Sequence, residues 1–126
     1  MFRDAKAFSG FSVDDTTKVK SFYSDILGLN VTEDSAGLGL QLATGGSVFI
    51  YPKGDAHVPA TYTVLNFPVD NIDQAVDALV QKGVKFERYE GMNQDAKGIA
   101  RSDGQGPNIA WFKDPAGNIL SVLEGM

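Results

Sequence analysis

The chain has 126 residues, of which 43% are hydrophobic and 21% charged, so it matches one globular domain rather than a disordered, collagenous or fibrous protein. Eleven basic and sixteen acidic residues give a net charge of −5, which disfavours nucleic acid and anionic lipid as partners. The lack of cysteine excludes disulfides, thiolate metal sites and a cysteine nucleophile. Without an apolar run long enough for a membrane span or a signal-peptide pattern, we expect a cytoplasmic protein with no membrane partner.

The first half of the chain predicts one strand, one helix and three further strands. Alternating apolar residues predict the first strand from Lys6 to Val13. A helical stripe follows, with capping residues at Asp14 to Thr17 and a stop at Gly28; its members are Val19, Phe22, Tyr23, Ile26 and Leu27. The next strands are predicted at Leu29–Glu33, Leu38–Leu42 and Ser47–Tyr51.

The second half repeats this order after a turn-rich linker, Lys53–Ala60. The linker contains His57, the one histidine of the chain, which we expect to be an exposed loop residue. A strand is predicted at Thr61–Val69. A helix with Asn71 and Gln74 as a capping box follows; its stripe is Ile72, Ala75, Val76, Leu79 and Val80, and its stop is Gly83. The closing strands are predicted at Val84–Tyr89, Asn108–Lys113 and Ile119–Leu123.

The two halves are related by a constant offset, which indicates an internal repeat. Phe11 and Phe67 are 56 positions apart, and so are Val13 and Val69. A strand-helix-strand-strand-strand module covers only one face of its sheet, so two such modules pair naturally. We therefore predict an α+β fold of a single domain, about residues 5–124. Two pseudo-symmetric βαβββ modules, about residues 5–52 and 61–124, would form a curved mixed sheet around a cleft, with the helices on the outer face.

Three segments of the chain resemble the signature segments of the vicinal oxygen chelate superfamily. They are Phe11–Asp15, Ser21–Leu29 and Trp111–Asn118. The superfamily comprises glyoxalase I, the bleomycin-resistance proteins and the extradiol dioxygenases, and the resemblance covers nearly the whole chain. It implies a glyoxalase/bleomycin-resistance-like fold and a homodimer. Since this fold hosts lyases, dioxygenases and metal-free binding proteins, it does not imply one activity.

In the metal-dependent members of that superfamily, the first and last strands of each module supply the metal ligands. The resemblance places these positions at Phe8, Ile50, Val64 and Ser121. A catalytic zinc, nickel or iron site needs about three imidazole or carboxylate donors. Neither these residues nor their immediate neighbours have an imidazole or carboxylate side chain. The sequence therefore resembles the metal-free branch, and we predict no metal and no other cofactor.

Strand alternation divides the remaining residues between the cleft and the helices. It places Val48 and Ile50 in the cleft and Phe49 against the helices. The predicted ligand contacts combine this cleft wall with one residue of the long polar loop 91–106 and one stacking ring; they are Phe8, Ser12, Ile50, Val64, Asn66, Arg101, Trp111 and Ser121. A mainly apolar wall with a few polar groups is typical of a pocket for an organic ligand.

These features predict a metal-free protein that binds a small hydrophobic or aromatic compound. The alternative is an enzyme of the same superfamily. It would be either a lyase or dioxygenase whose metal site the alignment misses, or a metal-free enzyme whose general base is not identified and comes from a bound ligand or from a residue such as Glu90 or Asp103. The sequence assigns no catalytic residue and does not identify the ligand.

Overall fold

The computed structural model describes residues 1–104 and 106–125. The chain divides into two compact units, Met1–Val58 and a second one that begins at Pro59. This boundary lies within the predicted linker 53–60. Each unit has its own mixed sheet and its own helix, so the fold is α+β, as predicted.

The first unit contains a four-stranded sheet with the order β1-β4-β3-β2. Its strands are Ser9–Val13 (β1), Asn30–Glu33 (β2), Leu38–Gln41 (β3) and Ser47–Pro52 (β4). β1 pairs parallel with β4, and the other neighbours pair antiparallel. The helix α1 (Thr16–Ser21) begins after Asp15, whose side chain accepts a hydrogen bond from the Thr17 amide. It continues as a π-helical segment, Phe22–Ile26.

The second unit contains a three-stranded sheet with the order β5-β7-β6. Its elements are β5 (Thr63–Pro68), α2 (Ile72–Gln81), β6 (Asn108–Lys113) and β7 (Ile119–Glu124). β5 pairs parallel with β7, which pairs antiparallel with β6. The first unit has this same arrangement in β1-β4-β3, in agreement with the repeat. Asn71 caps α2 by accepting a hydrogen bond from the Gln74 amide, as its position predicted.

The strand predicted at Val84–Tyr89 is wrong, because this segment forms only an isolated bridge between Phe86 and Phe112. The side chain of Gln94 forms hydrogen bonds with backbone groups of this segment that a longer strand would pair with β6. Its Oε1 accepts a hydrogen bond from the Tyr89 amide at 2.9 Å, and its Nε2 donates to the Glu87 carbonyl at 2.9 Å. Buried backbone groups need a partner, and here a side chain supplies it.

Each sheet buries one face against its own helix. In the first unit the buried residues include Phe11, Val13, Val19, Leu38 and Ile50. In the second unit they include Ile72, Val76, Ala110, Phe112 and Leu120. The opposite face of each sheet is left for other contacts. Within the described part of the chain, no helix combines the length and apolarity needed to cross a bilayer.

Candidate functional site

Three of the predicted ligand contacts lie side by side on the second sheet. Asn66 on β5 and Trp111 on β6 both pair in register with Ser121 on β7, and paired residues of neighbouring strands share a sheet face. Phe112 and Leu120 are buried on the other face, which contacts α2. The row of Asn66, Ser121 and Trp111 therefore lies on the face opposite the helix.

A hydrogen bond joins two members of this row. The hydroxyl of Ser121 donates to Oδ1 of Asn66 at 2.6 Å. Ser121 is fully buried, whereas Asn66 is exposed, so Asn66 is the accessible member of the pair. Because the bond occupies Oδ1, it orients the amide and leaves Nδ2 as the group available to a ligand acceptor.

A cavity of about 370 Å³ opens beside Trp111 on this face. Its described lining comprises Thr61, Tyr62, Thr63, Tyr89, Glu90, Met92, Trp111 and Ile119. The rings of Trp111 and Tyr89 meet edge to face, with centroids 5.6 Å apart and planes at 77°. Among the described lining residues, Glu90 carries the one charge. We call this space the aromatic cavity; its apolar walls and few polar groups suit an organic ligand.

The hydroxyl of Tyr89, in the wall of the aromatic cavity, is buried. It has no hydrogen-bond partner among the residues that the structure describes. Burial raises the pKa of Tyr89, and the negative charge of Glu87 raises it further. The phenol therefore stays protonated at neutral pH, as a donor without an acceptor. A buried polar group in this state costs about 1–3 kcal/mol of stability.

We expect Tyr89→Phe to stabilise the folded protein by about 1 kcal/mol, because it removes the unpaired hydroxyl and keeps the ring against Trp111. Urea denaturation measures the change in the free energy of unfolding. Tyr62→Phe is the matched control, since Tyr62 is 69% exposed and its hydroxyl reaches water; it should change stability by less than about 0.5 kcal/mol. A loss of stability in Tyr89→Phe would show that the hydroxyl is satisfied in solution.

The first sheet also has a face opposite its helix. On that face Gly10 and Ser12 of β1 lie next to Phe49 and Tyr51 of β4. The rings of Phe49 and Tyr51 stack with centroids 5.7 Å apart. Phe8, which directly precedes β1, is 67% exposed. The predicted contacts Phe8 and Ser12 thus belong to an aromatic face of the first unit, and their role in ligand binding stays a prediction.

The prediction that Val48 and Ile50 face this side of β4 is wrong. Ile50 pairs in register with Phe11 and with Leu38, and all three side chains are buried. A shift of one residue in strand register exchanges the two faces of a strand. Ile50 therefore packs in the core of the first unit and is not an accessible ligand contact.

The repeat shows where the register prediction failed. Asn66 pairs with Ser121 in the second unit. Gly10, which precedes Asn66 by 56 positions, pairs with Phe49 in the first unit. The first-unit counterpart of Ser121 is therefore Phe49 rather than Ile50.

His57 is half-buried, so the prediction of an exposed loop histidine is wrong. Its Nδ1 lies 2.8 Å from Oγ of Ser12. A short 3₁₀ turn, Gly54–Ala56, immediately precedes it, and the His57 amide donates to the Gly54 carbonyl at 3.1 Å. The turn thus brings the imidazole back to β1, and the hydroxyl of the predicted contact Ser12 is engaged with it.

Val64 lies at an irregularity of β5. Thr63 pairs with Ile119 and Leu65 pairs with Leu120, so Val64 is the extra residue of a β-bulge. A bulge interrupts the alternation of side chains between the two faces. The predicted orientation of Val64 therefore does not follow from its position in the strand.

Arg101 is not among the described residues that line the aromatic cavity. Its Nη2 and Nη1 donate to the two carboxylate oxygens of Asp73 at 2.8 and 3.1 Å, and its Nε donates to Asp95 at 3.0 Å. The hydrogen bond from Arg101 holds the pKa of Asp73 below its ordinary value. Arg101 thus ties its loop to the first turn of α2, and the structure does not bring it together with the other predicted contacts.

The side chains at the expected metal positions do not fit a catalytic divalent metal. With Phe49 in place of Ile50, the four positions carry Phe8, Phe49, Val64 and Ser121, which offer one hydroxyl and neither imidazole nor carboxylate. Over residues 1–104 and 106–125, no group of three histidine, cysteine or acidic side chains is placed to hold a metal ion.

Six residues that line the aromatic cavity are not among the predicted ligand contacts; they are Thr61, Tyr62, Thr63, Tyr89, Met92 and Ile119. Tyr62 and Tyr89 lie outside the strands that the structure forms, so the alternation expected for Thr61–Val69 and Val84–Tyr89 does not determine where these two rings point. Glu90, named as a candidate base, does line the cavity, whereas Asp103 is not among its described lining residues.

Comparison with known proteins connects the chain to one superfamily. The family model described as "Glyoxalase/Bleomycin resistance protein/Dioxygenase superfamily" matches residues 8–122. A search of curated proteins found no match. The matched range includes every strand of both sheets except the last two residues of β7.

Solved structures share this fold at low sequence identity. The glyoxalase family protein from Enterococcus faecalis has a TM-score of 0.73 and 20% identity, covering 98% of this chain and 100% of that one. TnmS3, an antibiotic binding protein from Streptomyces sp. CB03234, has a TM-score of 0.68 and 20% identity, covering 94% and 93%. Lactoylglutathione lyase from Agrobacterium tumefaciens has a TM-score of 0.69 and 17% identity, covering 97% and 94%. A binding protein and a lyase share the architecture, so the likeness establishes the fold alone.

Proposed function

Because this chain belongs to the glyoxalase/bleomycin resistance protein/dioxygenase superfamily, we propose that it binds a small hydrophobic or aromatic compound without transforming it and without a metal. The observation that carries this proposal is the aromatic cavity, whose walls include Trp111, Tyr89 and Tyr62. The antibiotic-binding neighbour TnmS3 supports a binding role for this fold. A homodimer and a cytoplasmic location, expected from the sequence, belong to the same proposal.

The walls favour a flat, apolar ligand. Burying about 100 Å² of an aromatic compound contributes roughly 2.5 kcal/mol before the cost of immobilising it, and ring contacts with Trp111 add about 0.5–1.5 kcal/mol. Asn66, whose amide is oriented by Ser121, lies on the same sheet face as Trp111. It offers a donor that distinguishes ligands with a carbonyl or ether oxygen from plain hydrocarbons.

We expect Trp111→Ala to weaken the binding of such a ligand by about 30-fold, because it removes the largest ring of the wall. Uncharged aromatic compounds with two or three fused rings are first screened by thermal shift, since a ligand of the folded state raises the melting temperature. Trp111 is the one tryptophan of the chain, so quenching of its fluorescence by a compound reports binding at this cavity. Calorimetry then gives the affinities of the wild-type protein and the variants.

Two further variants keep this test independent of folding defects. Tyr62→Ala removes an exposed ring of the same wall and should weaken binding several-fold. Phe2→Ala removes an even more exposed ring that is not among the described residues lining the cavity and should leave the affinity unchanged. Unchanged affinity in both Trp111→Ala and Tyr62→Ala would place the ligand elsewhere and overturn the proposal.

The alternative function is an enzyme. Glu90 lines the aromatic cavity, and its carboxylate is therefore the candidate general base of a metal-free reaction. The metal-dependent form of the alternative needs imidazole or carboxylate donors, which the positions of Phe8, Phe49, Val64 and Ser121 do not supply. The donor chemistry thus favours the binding protein over a metal-dependent lyase or dioxygenase.

We expect the purified protein to contain well below one metal ion per chain, because no suitable donor set is present at the family's metal positions. The measurement is elemental analysis of untagged protein expressed in medium supplemented with nickel, zinc and iron. A sample treated with a chelator serves as the control. Stoichiometric metal that only the chelator removes would contradict the proposal and favour the enzyme.

A further inference from the structure

A second cavity, of about 520 Å³, lies on the helix side of the second unit. Its walls come from the C-terminal half of α2 and from the segments 84–88 and 96–98. Phe86 lines it and packs edge to face on Phe112, with ring centroids 5.5 Å apart. Phe112 and Trp111 are neighbours on β6 and point to opposite faces of the sheet. This cavity is therefore separate from the aromatic cavity, and we call it the basic cavity.

The floor of the basic cavity is apolar. Val80 of α2 is 53% exposed, although most of the apolar stripe of that helix packs against the sheet. Val84 is buried, and Phe86 is half-buried. An exposed valine next to these two side chains gives a hydrocarbon surface that nothing in the described chain covers.

The rim of the basic cavity carries positive charge that is not neutralised. Nη2 of Arg88 donates to the carbonyl oxygens of Asp95 and Ala96 at 2.6 and 2.9 Å, which fixes the guanidinium in place. Among the described residues, neither Arg88 nor Lys85 has a carboxylate within ion-pair distance. Lys97, in contrast, pairs with Asp77 at 3.0 Å and with Asp73 at 3.3 Å.

These two unpaired cations stand out in a chain whose net charge is −5. The overall field of such a chain repels anions, so an anion would bind only where local cations outweigh that field. A guanidinium held by backbone carbonyls is already ordered, and so it loses little entropy when an anion binds. Cations beside a hydrocarbon floor match a molecule that has an acidic group at one end and an apolar body.

We propose that the basic cavity is a binding site for an organic anion with an apolar body, a carboxylate or sulfonate. The acidic group lies against Arg88 and Lys85, and the apolar body covers Val80, Val84 and Phe86. This site does not depend on the function proposed for the aromatic cavity, because the two share no described lining residue.

The test uses naphthalene-1-sulfonate as the probe, with uncharged naphthalene-1-methanol and aliphatic octanoate as comparisons. Calorimetry on the whole chain should show saturable binding of the sulfonate at low salt, weakened by added salt. Binding of octanoate as well would extend the ligand class to alkyl acids, and its absence would restrict the class to aryl acids. In NMR spectra, the sulfonate should shift the amide signals of Val84, Phe86 and Gly98 and leave the Trp111 indole signal in place.

Three variants localise the binding. Lys85→Glu and Val80→Asp change exposed side chains of the rim and the floor, and each should weaken sulfonate binding about tenfold. Lys53→Glu makes the same change in net charge on the first unit and should alter the affinity less than twofold. The proposal is overturned if Lys85→Glu and Lys53→Glu bind the sulfonate alike, if the uncharged alcohol shifts the amide signals of Val84, Phe86 and Gly98 as strongly as the sulfonate does at the same concentration, or if only the Trp111 signal moves. The lack of saturable sulfonate binding below about 10 mM would overturn it as well.

Discussion

Gly37→Ala is expected to lower the free energy of unfolding by about 3 kcal/mol, through overpacking together with an unfavourable backbone angle. Gly37 is buried directly before β3, and its φ is +154°. A Cβ atom added there would collide with the carbonyl oxygen of Ile50. That oxygen belongs to the backbone of β4, which pairs with β3, so it cannot move without disturbing the ladder between the two strands.

Gly45→Ala is the matched control for Gly37→Ala. Gly45 has φ +94°, but a Cβ atom added there would meet nothing within 4 Å. This variant therefore carries the backbone strain without the collision, and we expect it to cost about 1 kcal/mol. Thermal denaturation measures both variants, and hydrogen exchange of the β3 and β4 amides shows where Gly37→Ala opens the structure. If Gly37→Ala and Gly45→Ala lose the same stability, the collision of the added Cβ with the Ile50 carbonyl does not contribute to the effect, which would contradict the prediction.

Asp114→Ala is expected to cost about 3 kcal/mol, because it removes one acceptor from several buried donors at once. Asp114 is 4% exposed, in the turn between β6 and β7. Its Oδ1 accepts hydrogen bonds from the amides of Ala116 and Asn118, both at 2.9 Å, and its Oδ2 accepts one from Nδ2 of Asn118 at 3.2 Å. Oδ1 of Asn118 in turn accepts from the Ala60 amide at 3.1 Å.

The control for Asp114→Ala is Asp34→Ala, in the turn between β2 and β3. Oδ1 of Asp34 accepts hydrogen bonds from the amides of Ala36 and Gly37 at 2.8 and 3.1 Å. Asp34 is exposed, and only one of its two donors, the Gly37 amide, is part-buried, so Asp34→Ala should lower the free energy of unfolding by only about 1 kcal/mol. The melting temperature should fall by roughly 10 °C in Asp114→Ala and by about 3 °C in Asp34→Ala. Similar changes in melting temperature in the two variants would show that the loss of stability does not depend on the burial of the Asp114 turn.

The Asp114 turn also explains why the segment from Trp111 to Asn118 marks the fold and not an activity. Its aspartate and asparagine hold the β6–β7 turn and fasten it to Ala60, just before β5. The turn thereby keeps Trp111 and Ser121 in register on neighbouring strands. These contacts hold the turn and do not reach a reacting group, so the segment indicates the fold and does not distinguish a binding protein from an enzyme.

Local signals in the sequence determined most of the elements. The cap at Asn71 and the apolar stripe of α2 predicted that helix. The run of capping residues from Asp14 to Thr17 predicted the start of α1, and the structure identifies Asp15 as the cap. Six of the seven strands agree with their predicted ranges to within two residues at each end, and β1 begins three residues later than predicted. These features are decided by residues within a few positions of one another, so a single sequence contains the necessary information.

Contacts between distant segments decided the rest of the fold. The face of Ile50 depends on the register between β1 and β4, and a shift of one residue reverses it. The loss of the strand at Val84–Tyr89 depends on Gln94, a side chain from the following loop. Ser12 and His57 are 45 positions apart, yet they are hydrogen-bonded. No local pattern specifies such a partner.

The candidate site, too, was predicted in part from the sequence and decided in part by contacts between distant segments. Alternation along the strands predicted that Asn66 and Ser121 share one sheet face, whereas Trp111 was named for its ring. The structure places all three side by side on that face, and their role in ligand binding stays a prediction. Tyr62 and Tyr89 complete the aromatic cavity from irregular segments, and only the folded chain brings them to Trp111. The sequence by itself determined that Asn66 and Ser121 share a sheet face, and the tertiary structure decided the walls of the cavity, because the positions of loop side chains depend on packing rather than periodicity.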